Sequence, residues 1–482
     1  MKSNNLSPNQ TRNFVKGLLQ LSQVSRYRPK ANGLGYELFE LVVAGQEREQ
    51  AINSWISQGR SEDSFRQAFK KLKDGFIREA FLDNKGYDYI QQRRILCWDR
   101  FQKIKCLLIA DKKAAAIPLA IETIVLAQKC GFTEIVCSLS RELEHHYGAI
   151  VLDKRRYLRY RKIRKTAQAN LTKEQDVQSL FTRLVFNLKT GKGLIDCEKE
   201  WKRLRNEKSG TYRFMLYRCN TLTIIDYYRD NFDSVAKEIK FTLQYFGKSK
   251  TLLPFTVRTN LYHQLLPLLI AQKSFAEAEK QLTLSLKLPA NGSYMWHQLM
   301  LLRAYLGFHS NKPHIVLNAW TRASKNKKHK SPVIVEQWRI VRAYLAIYEK
   351  LGHLAVENRF RLAKFLNNVP VHQQDKKEGH VAILILELVM LLLNGNHKAY
   401  MQRVETLPSY IYSHLRGKEH VRCRSILYML KKVEEGDYHN ARVKPRVTRW
   451  QNQLNKNQLK VFNPSEIIPY DLLWGMVCSQ LR

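Results

Sequence analysis

Apolar residues recur at helical spacing along nearly the whole chain of 482 residues. A clear example lies in residues 64–73, where four apolar side chains stand at i, i+3, i+4 and i+7 and so share one helix face: Phe65, Ala68, Phe69 and Leu72. Runs of alternating β-branched residues bounded by hairpin turn sequences are missing. The pattern therefore predicts an all-α protein, with more than about 60% helix and almost no sheet.

A short pattern also recurs where several of the predicted helices begin. In its clearest copies an aromatic residue is followed three positions later by a small one, as in residues 271–289 and 436–441. We expect the aromatic residue to fill the gap between two paired helices and the small residue to admit the next helix. The residues predicted to pack in this way, including two shorter copies, are Phe132, Phe232, Phe275, Ala278, Tyr438 and Ala441.

These residues resemble the tetratricopeptide repeat, whose second helix opens with Gly-Asp-Tyr-x-x-Ala and whose units usually run about 34 residues. The resemblance covers residues 105–450 loosely, and its units are longer, because Phe232 and Phe275 are 43 residues apart. It implies an α-solenoid of antiparallel helix pairs, a right-handed superhelical ribbon with a concave binding groove. At least three units must stack before each buries its apolar face. The resemblance implies no chemistry.

Two flanking regions differ from the repeats. A helix-turn-helix is one interpretation of residues 36–83, but Gly75 and its acidic neighbours make a poor recognition helix, so an N-terminal cap is favoured. At the other end, Asn463 and Glu466 suit a helix start, and residues 470–481 are predicted as a last helix. The predicted domains are a poorly ordered or short helical N-terminus (1–35), an N-terminal helical cap or small helical domain (36–104), the repeats (105–450) and a C-terminal capping segment (451–482).

The chain is strongly basic, with 81 Lys and Arg against 42 Asp and Glu and a formal net charge of +39. Such an excess favours an anionic partner, which could be nucleic acid, an acidic protein or a phospholipid surface. The densest segment is 154–165, with eight cationic residues among twelve: Lys154, Arg155, Arg156, Arg159, Arg161, Lys162, Arg164 and Lys165. We predict that these residues bind the anionic partner.

Two interpretations of this segment remain open. In the first, the helix binds phosphates and its residues Tyr157 and Tyr160 stack on bases. In the second, both tyrosines pack into the repeats together with Leu158 and Ile163, while the cations are merely solvated. A second basic cluster, residues 325–330, is interpreted as a solubilising loop between units.

Motifs for catalysis or cofactor binding are missing. Residues 190–193 superficially resemble a phosphate loop, but Phe186 stands where the pattern requires glycine, and Gly193 stands where it requires Ser or Thr. Glu142, His145 and His146 have helical metal-ligand spacing without a second set of ligands. We therefore expect no enzyme activity, no cofactor and no metal.

Three features of the sequence predict a cytoplasmic location. The N-terminus has no apolar stretch typical of a secretory signal. The longest apolar run, residues 381–393, is shorter than the roughly 18 residues needed to cross a bilayer, so no membrane span is expected. Eight scattered cysteines without a CxxC motif are typical of reduced, packed thiols. Nothing in the pattern indicates an oligomeric state.

Two functions from different classes follow from these patterns. The first is a non-catalytic helical-repeat scaffold that binds an acidic protein or peptide in a basic groove. The alternative is a basic helical-repeat protein associated with the backbone of RNA or DNA, and one form of this alternative is a regulator with an N-terminal DNA-contacting helix. Exposed aromatic residues among the cations would favour nucleic acid, whereas buried aromatic residues would favour the peptide.

Overall fold

The computed structural model describes residues 34–43, 48–79, 88–194, 197–208, 210–326, 331–355, 360–367, 379–459, 463 and 465–482. In this described part 80% of the residues are helical and no strand is present. The prediction of an all-α chain is confirmed. The predicted N-terminal segment 1–35 lies almost entirely outside the described residues.

The chain divides into two compact units, Met1–Arg164 and Lys165–Arg482. The boundary falls inside the range predicted as repeats, and a single helix, α7, runs across it. The helices of the first unit are α1 (Leu34–Val43), α2 (Arg48–Ser57), α3 (Glu62–Glu79), α4 (Tyr89–Ile109), α5 (Lys113–Cys130), α6 (Thr133–His145), a π-helical turn (His146–Ile150) and the start of α7 (Lys154–Lys189).

The second unit continues with a longer series of helices. They are α8 (Glu198–Asn206), α9 (Tyr212–Tyr228), α10 (Phe232–Lys248), α11 (Phe255–Ala271), α12 (Phe275–Ser285), α13 (Tyr294–His309), α14 (Pro313–Lys325), α15 (Pro332–Lys350), α16 (Leu362–Asn367), α17 (Gly379–Leu393), α18 (His397–Glu405), α19 (Leu407–His414), a 3₁₀ turn (Lys418–His420), α20 (Val421–Glu435), α21 (Asn440–Lys456) and α22 (Tyr470–Cys478).

Helices of the second unit pack mainly on their neighbours in sequence. Consecutive helices form the pairs α9–α10, α11–α12, α13–α14, α17–α18 and α20–α21. Helices two apart along the chain also touch, because α11 contacts α13, α13 contacts α15 and α15 contacts α17. This adjacent packing is compatible with a helical-repeat protein, in which each unit buries the apolar face of the next.

One backbone turn joins the two helices of most pairs. One or two residues after the first helix ends, a residue adopts the left-handed conformation. The next amide donates a hydrogen bond of 2.8–3.0 Å to the carbonyl five residues earlier, which satisfies a free helix-end carbonyl. The left-handed residues are Asp111, Gly131, Asp230, Lys273, Asn311 and Gly395. The fourth residue of each following helix is buried: Ala116, Val136, Val235, Ala278, Val316 and Tyr400.

The packing residues that the sequence pattern predicted lie at different depths. Phe132 and Ala278 are buried, while Phe232, Phe275 and Tyr438 are half-buried. Ala441 is exposed, which corrects the expected burial of this residue.

Ala441 is exposed because the turn before α21 has a different backbone geometry. Tyr438 is itself left-handed, with φ 60°, so α21 begins two residues after it, at Asn440. Val443 therefore takes the buried fourth position, and the Tyr438 ring packs on His397 and Tyr400 instead, with ring centroids 4.0 and 6.0 Å apart.

Buried polar contacts anchor the C-terminal helix to other helices of the second unit. The C-terminal helix begins at Tyr470 as predicted and ends at Cys478, before the predicted end. The amide of Tyr470 donates to a Glu466 carboxylate oxygen at 2.9 Å, and the Arg422 guanidinium binds both oxygens of that carboxylate at 2.9 and 2.5 Å. His309 Nε2–H donates to the Glu466 carbonyl at 3.1 Å.

The burial of His309 predicts a loss of stability in mild acid. Burial lowers the pKa of His309 from its ordinary 6.5 to about 4, so the folded state stays unprotonated where the unfolded chain gains a proton. Stability should fall as the pH drops from about 6.5 towards 4. At pH 5 we expect about 2 kcal/mol less stability than at pH 8 from this group. Urea unfolding of the parent and of His309→Gln across this pH range measures the contribution of His309. Parallel pH profiles of the two proteins would contradict the prediction.

Candidate functional site

The basic segment begins α7 and is positioned by the π-helical turn before it. The amide of Asp153 donates to the Tyr147 carbonyl at 2.9 Å, and the Asp153 carboxylate accepts the Arg156 amide at 2.9 Å, which caps the new helix. A side chain on Gly148 would come within 2.7 Å of the Tyr157 ring, so glycine allows this close approach.

The tyrosines of the segment are covered. Tyr160 is buried and stacks on Tyr147, with ring centroids 5.6 Å apart and an interplanar angle of 11°. Tyr157 and Ile163 are half-buried, as a packed stripe requires. Leu158 is different, because 48% of it is exposed, which corrects the interpretation that it packs into the repeats. The ring of Tyr160 is therefore not available to stack on a base.

The cations of the segment form an exposed face along α7. Arg156 lies 3.5 Å from Asp153, and Arg164 is half-buried and paired with Glu144. The other six have no ion pair among the described residues: Lys154, Arg155, Arg159, Arg161, Lys162 and Lys165. Arg159 and Arg161 lie over the rings of Tyr160 and Tyr157, at 5.7 and 5.8 Å. The structure therefore brings unneutralised positive charge together on one solvent-facing surface.

A charge-reversal triple on this surface should weaken polyanion binding. We expect Arg155→Glu, Arg159→Glu and Lys162→Glu together to flatten the log–log salt slope of RNA or heparin binding by about 2 to 3, since each phosphate contact contributes about 0.7 to 0.9. The helix should persist, because all three side chains are exposed. The measurement is retention on immobilised polyanion at several salt concentrations.

The control triple exchanges Lys325, Lys327 and Lys328, of which the last two lie outside the described residues. Equal weakening by both triples would mean that the attraction is only the diffuse field of the +39 chain.

A second basic feature, which we call the α12–α14 groove, lies in the second unit. It is a hollow of about 450 Å³ lined by residues of three helices and one turn: Glu279, Arg303, Lys312, His314, Ile315 and Asn318. A neighbouring hollow of about 120 Å³ shares Glu279, Lys312 and Ile315 and extends towards Phe275. The larger hollow is open to solvent, and its lining is mainly polar.

The charge of the groove is mostly positive. Arg303 is half-buried on α13, while Lys312 and His314 are exposed where α14 begins. Within the described chain neither Arg303 nor Lys312 has an ion-pair partner, and Glu279 is the acid that lines the hollow. The groove therefore suits carboxylate or phosphate groups, to which arginine offers paired donors.

The sequence did not single out this groove. Arg303 belongs to a recurring Arg-Ala-Tyr-Leu pattern, but Lys312 and His314 surround Pro313, and no spacing links them to Arg303. Only the packing of α13 against α14 brings them together. The signal that could have found them is the left-handed turn at Asn311, which ends one helix and places Lys312 at the start of the next.

The other candidate sites considered from the sequence have ordinary structural roles. Glu142 lies 2.9 Å from Lys105. Thr190 donates its hydroxyl to the Phe186 carbonyl where α7 ends. In the described part of the chain no three His, Cys, Asp or Glu side chains cluster as metal ligands do. Among the described helices none is both long and apolar enough to span a membrane.

Comparisons of the chain with protein-family models, with curated proteins and with solved structures each gave no match. The tetratricopeptide resemblance therefore still rests on the residues that suggested it.

Proposed function

We propose that the protein is a non-catalytic, cytoplasmic scaffold of the tetratricopeptide type that binds an acidic segment of a partner protein in the α12–α14 groove. The second unit would form a right-handed α-solenoid, which stacks its helix pairs and leaves a groove along them. The single observation that carries the proposal is that Arg303 and Lys312, which have no ion-pair partner in the described part of the chain, line a polar hollow of about 450 Å³.

The polar lining favours an acidic segment over an apolar ligand. An apolar ligand would desolvate Arg303 without offering a hydrogen-bond acceptor, which is costly for a charged group. A Glu or Asp side chain supplies that acceptor, and its neighbours in the peptide extend towards Ile315 and Phe275 in the smaller hollow. An acidic peptide with an apolar residue beside its carboxylates therefore fits the lining best.

The alternative of a nucleic-acid partner is supported by charge alone. Its distinguishing feature would be exposed aromatic rings among the cations, and the two tyrosines of the basic segment are buried or half-buried. Single-stranded RNA therefore serves as the competitor in the binding test.

The test measures binding of a fluorescent glutamate-rich peptide by anisotropy. We expect Arg303→Gln with Lys312→Gln to weaken binding by about tenfold or more, because hydrogen bonds to charged groups contribute about 1.5–3 kcal/mol each. The matched control, Lys280→Gln with Lys287→Gln, removes the same charge from exposed positions of the same unit that do not line the groove. It should change affinity less than about twofold.

Two outcomes would contradict the proposal. Equal weakening by both double variants would assign the binding to the diffuse charge of the chain. Displacement of the peptide by RNA at much lower concentration than by unlabelled peptide, with the groove variants unaffected, would favour the nucleic-acid alternative.

A further inference from the structure

The turn that precedes α7 exposes three consecutive large apolar side chains. The exposed fractions are 49% for Ile150, 50% for Val151 and 76% for Leu152, and Leu158 on the first turns of α7 is 48% exposed. We call these four residues the apolar tip. Contiguous exposed apolar surface is unfavourable in water and commonly marks a contact site.

The backbone at Leu152 is strained. Its φ is 60°, in the left-handed region that large side chains avoid because Cβ crowds the following carbonyl oxygen. Elsewhere in the described chain the left-handed positions hold Gly, Asp, Asn or Lys, and Tyr438, which packs on two aromatic rings. Leu152 is both strained and exposed. Packing within the unit therefore does not explain why a large apolar residue stands there.

The apolar tip is bordered by positive charge. Arg155, Arg159 and Lys162 succeed one another at spacings of four and three on the same side of α7 as Leu158, and Lys154 lies two residues after Leu152. All four are exposed and have no ion pair in the described structure. Nearby acids are neutralised, because Asp153 faces Arg156 and Glu144 pairs with Arg164.

We infer that the apolar tip and these four cations dock on an anionic phospholipid surface. The apolar side chains enter the boundary between headgroups and acyl chains, while the lysine and arginine side chains reach the phosphates. A nucleic-acid backbone would leave the tip uncovered. An acidic peptide would need a groove for its apolar side chains, whereas Leu152 protrudes, with three quarters of its surface exposed.

This inference is independent of the proposed function, because the tip and the α12–α14 groove use different residues of different units. A protein with both sites would hold an acidic partner while it is attached to a membrane surface.

The test is flotation of the purified full chain with vesicles of phosphatidylcholine containing about one third phosphatidylserine, compared with phosphatidylcholine alone. We expect binding to the mixed vesicles only. Leu152→Gly should lower it about tenfold although the backbone strain is relieved, so the variant should be at least as heat-stable as the parent. Exchange of Arg155, Arg159 and Lys162 for Gln should lower it about a hundredfold at low salt.

The matched control is Ile109→Ser, which removes an 86% exposed apolar side chain elsewhere in the same unit and should bind like the parent. Equal binding of Leu152→Gly and the parent, an equal loss in the control, or no binding of the parent to anionic vesicles would each overturn the inference. The groove variants should bind vesicles normally, which separates failure here from failure of the proposed function.

Discussion

An Ala278→Arg substitution is expected to lower the free energy of unfolding by about 3 kcal/mol or more. Ala278 is fully buried at the fourth position of α12, where it packs in the core formed by successive helix pairs of the second unit. Arginine would overpack this junction and bury a charge without a partner. Chemical denaturation followed by circular dichroism measures the loss.

Two matched variants make this result specific. Ala276 lies on the same helix but is exposed, so Ala276→Arg should change stability by no more than about 0.5 kcal/mol. Ala441→Arg should also be nearly neutral, because the structure places Val443 at the buried position of α21. If Ala278→Arg unfolds like the parent, or Ala441→Arg is the more harmful of the two, the packing described for these helix pairs is wrong.

The second large effect is expected at a buried ion pair. Arg218 on α9 is fully buried and is paired with Glu238 on α10, which is 6% exposed. Its Nε–H also donates to the Leu204 carbonyl near the end of α8 at 2.7 Å. Arg218→Ala should cost about 3–5 kcal/mol, because it leaves the Glu238 carboxylate buried without its counter-charge.

A double variant separates the cost of the unpaired buried charge from the loss of the other contacts of Arg218. Replacement of both partners by apolar residues, Arg218→Met with Glu238→Leu, removes the uncompensated charge and should restore most of the stability lost in the single variant. Urea unfolding of the parent, the single variant and the double variant gives the comparison. A double variant as unstable as Arg218→Ala would show that the hydrogen bond to Leu204 and the shape of the side chain matter more than the charge.

The recurring turn shows which parts of the helix pairing the local sequence predicts and which it does not. Aromatic residues indicated copies at Phe132, Phe232 and Phe275, and a helix does begin at or directly after each of them. The copies after Asp111, Asn311 and Gly395 were not indicated, because lysine, proline and histidine stand first in the helices that follow. What these copies share is a left-handed backbone and a buried fourth residue, and several residue types satisfy both.

The sequence by itself determined the helical class of this protein, the start of its last helix at Tyr470 and the strong charge of the 154–165 segment, because helical period and charge are properties of neighbouring residues. Only the tertiary structure decided that Tyr160 is buried while Leu158 is exposed, and that Arg303 and Lys312 line one hollow. The periodicity of a helix identifies the residues that share a face. Which faces are covered, and by what, depends on helices that pack from elsewhere in the chain.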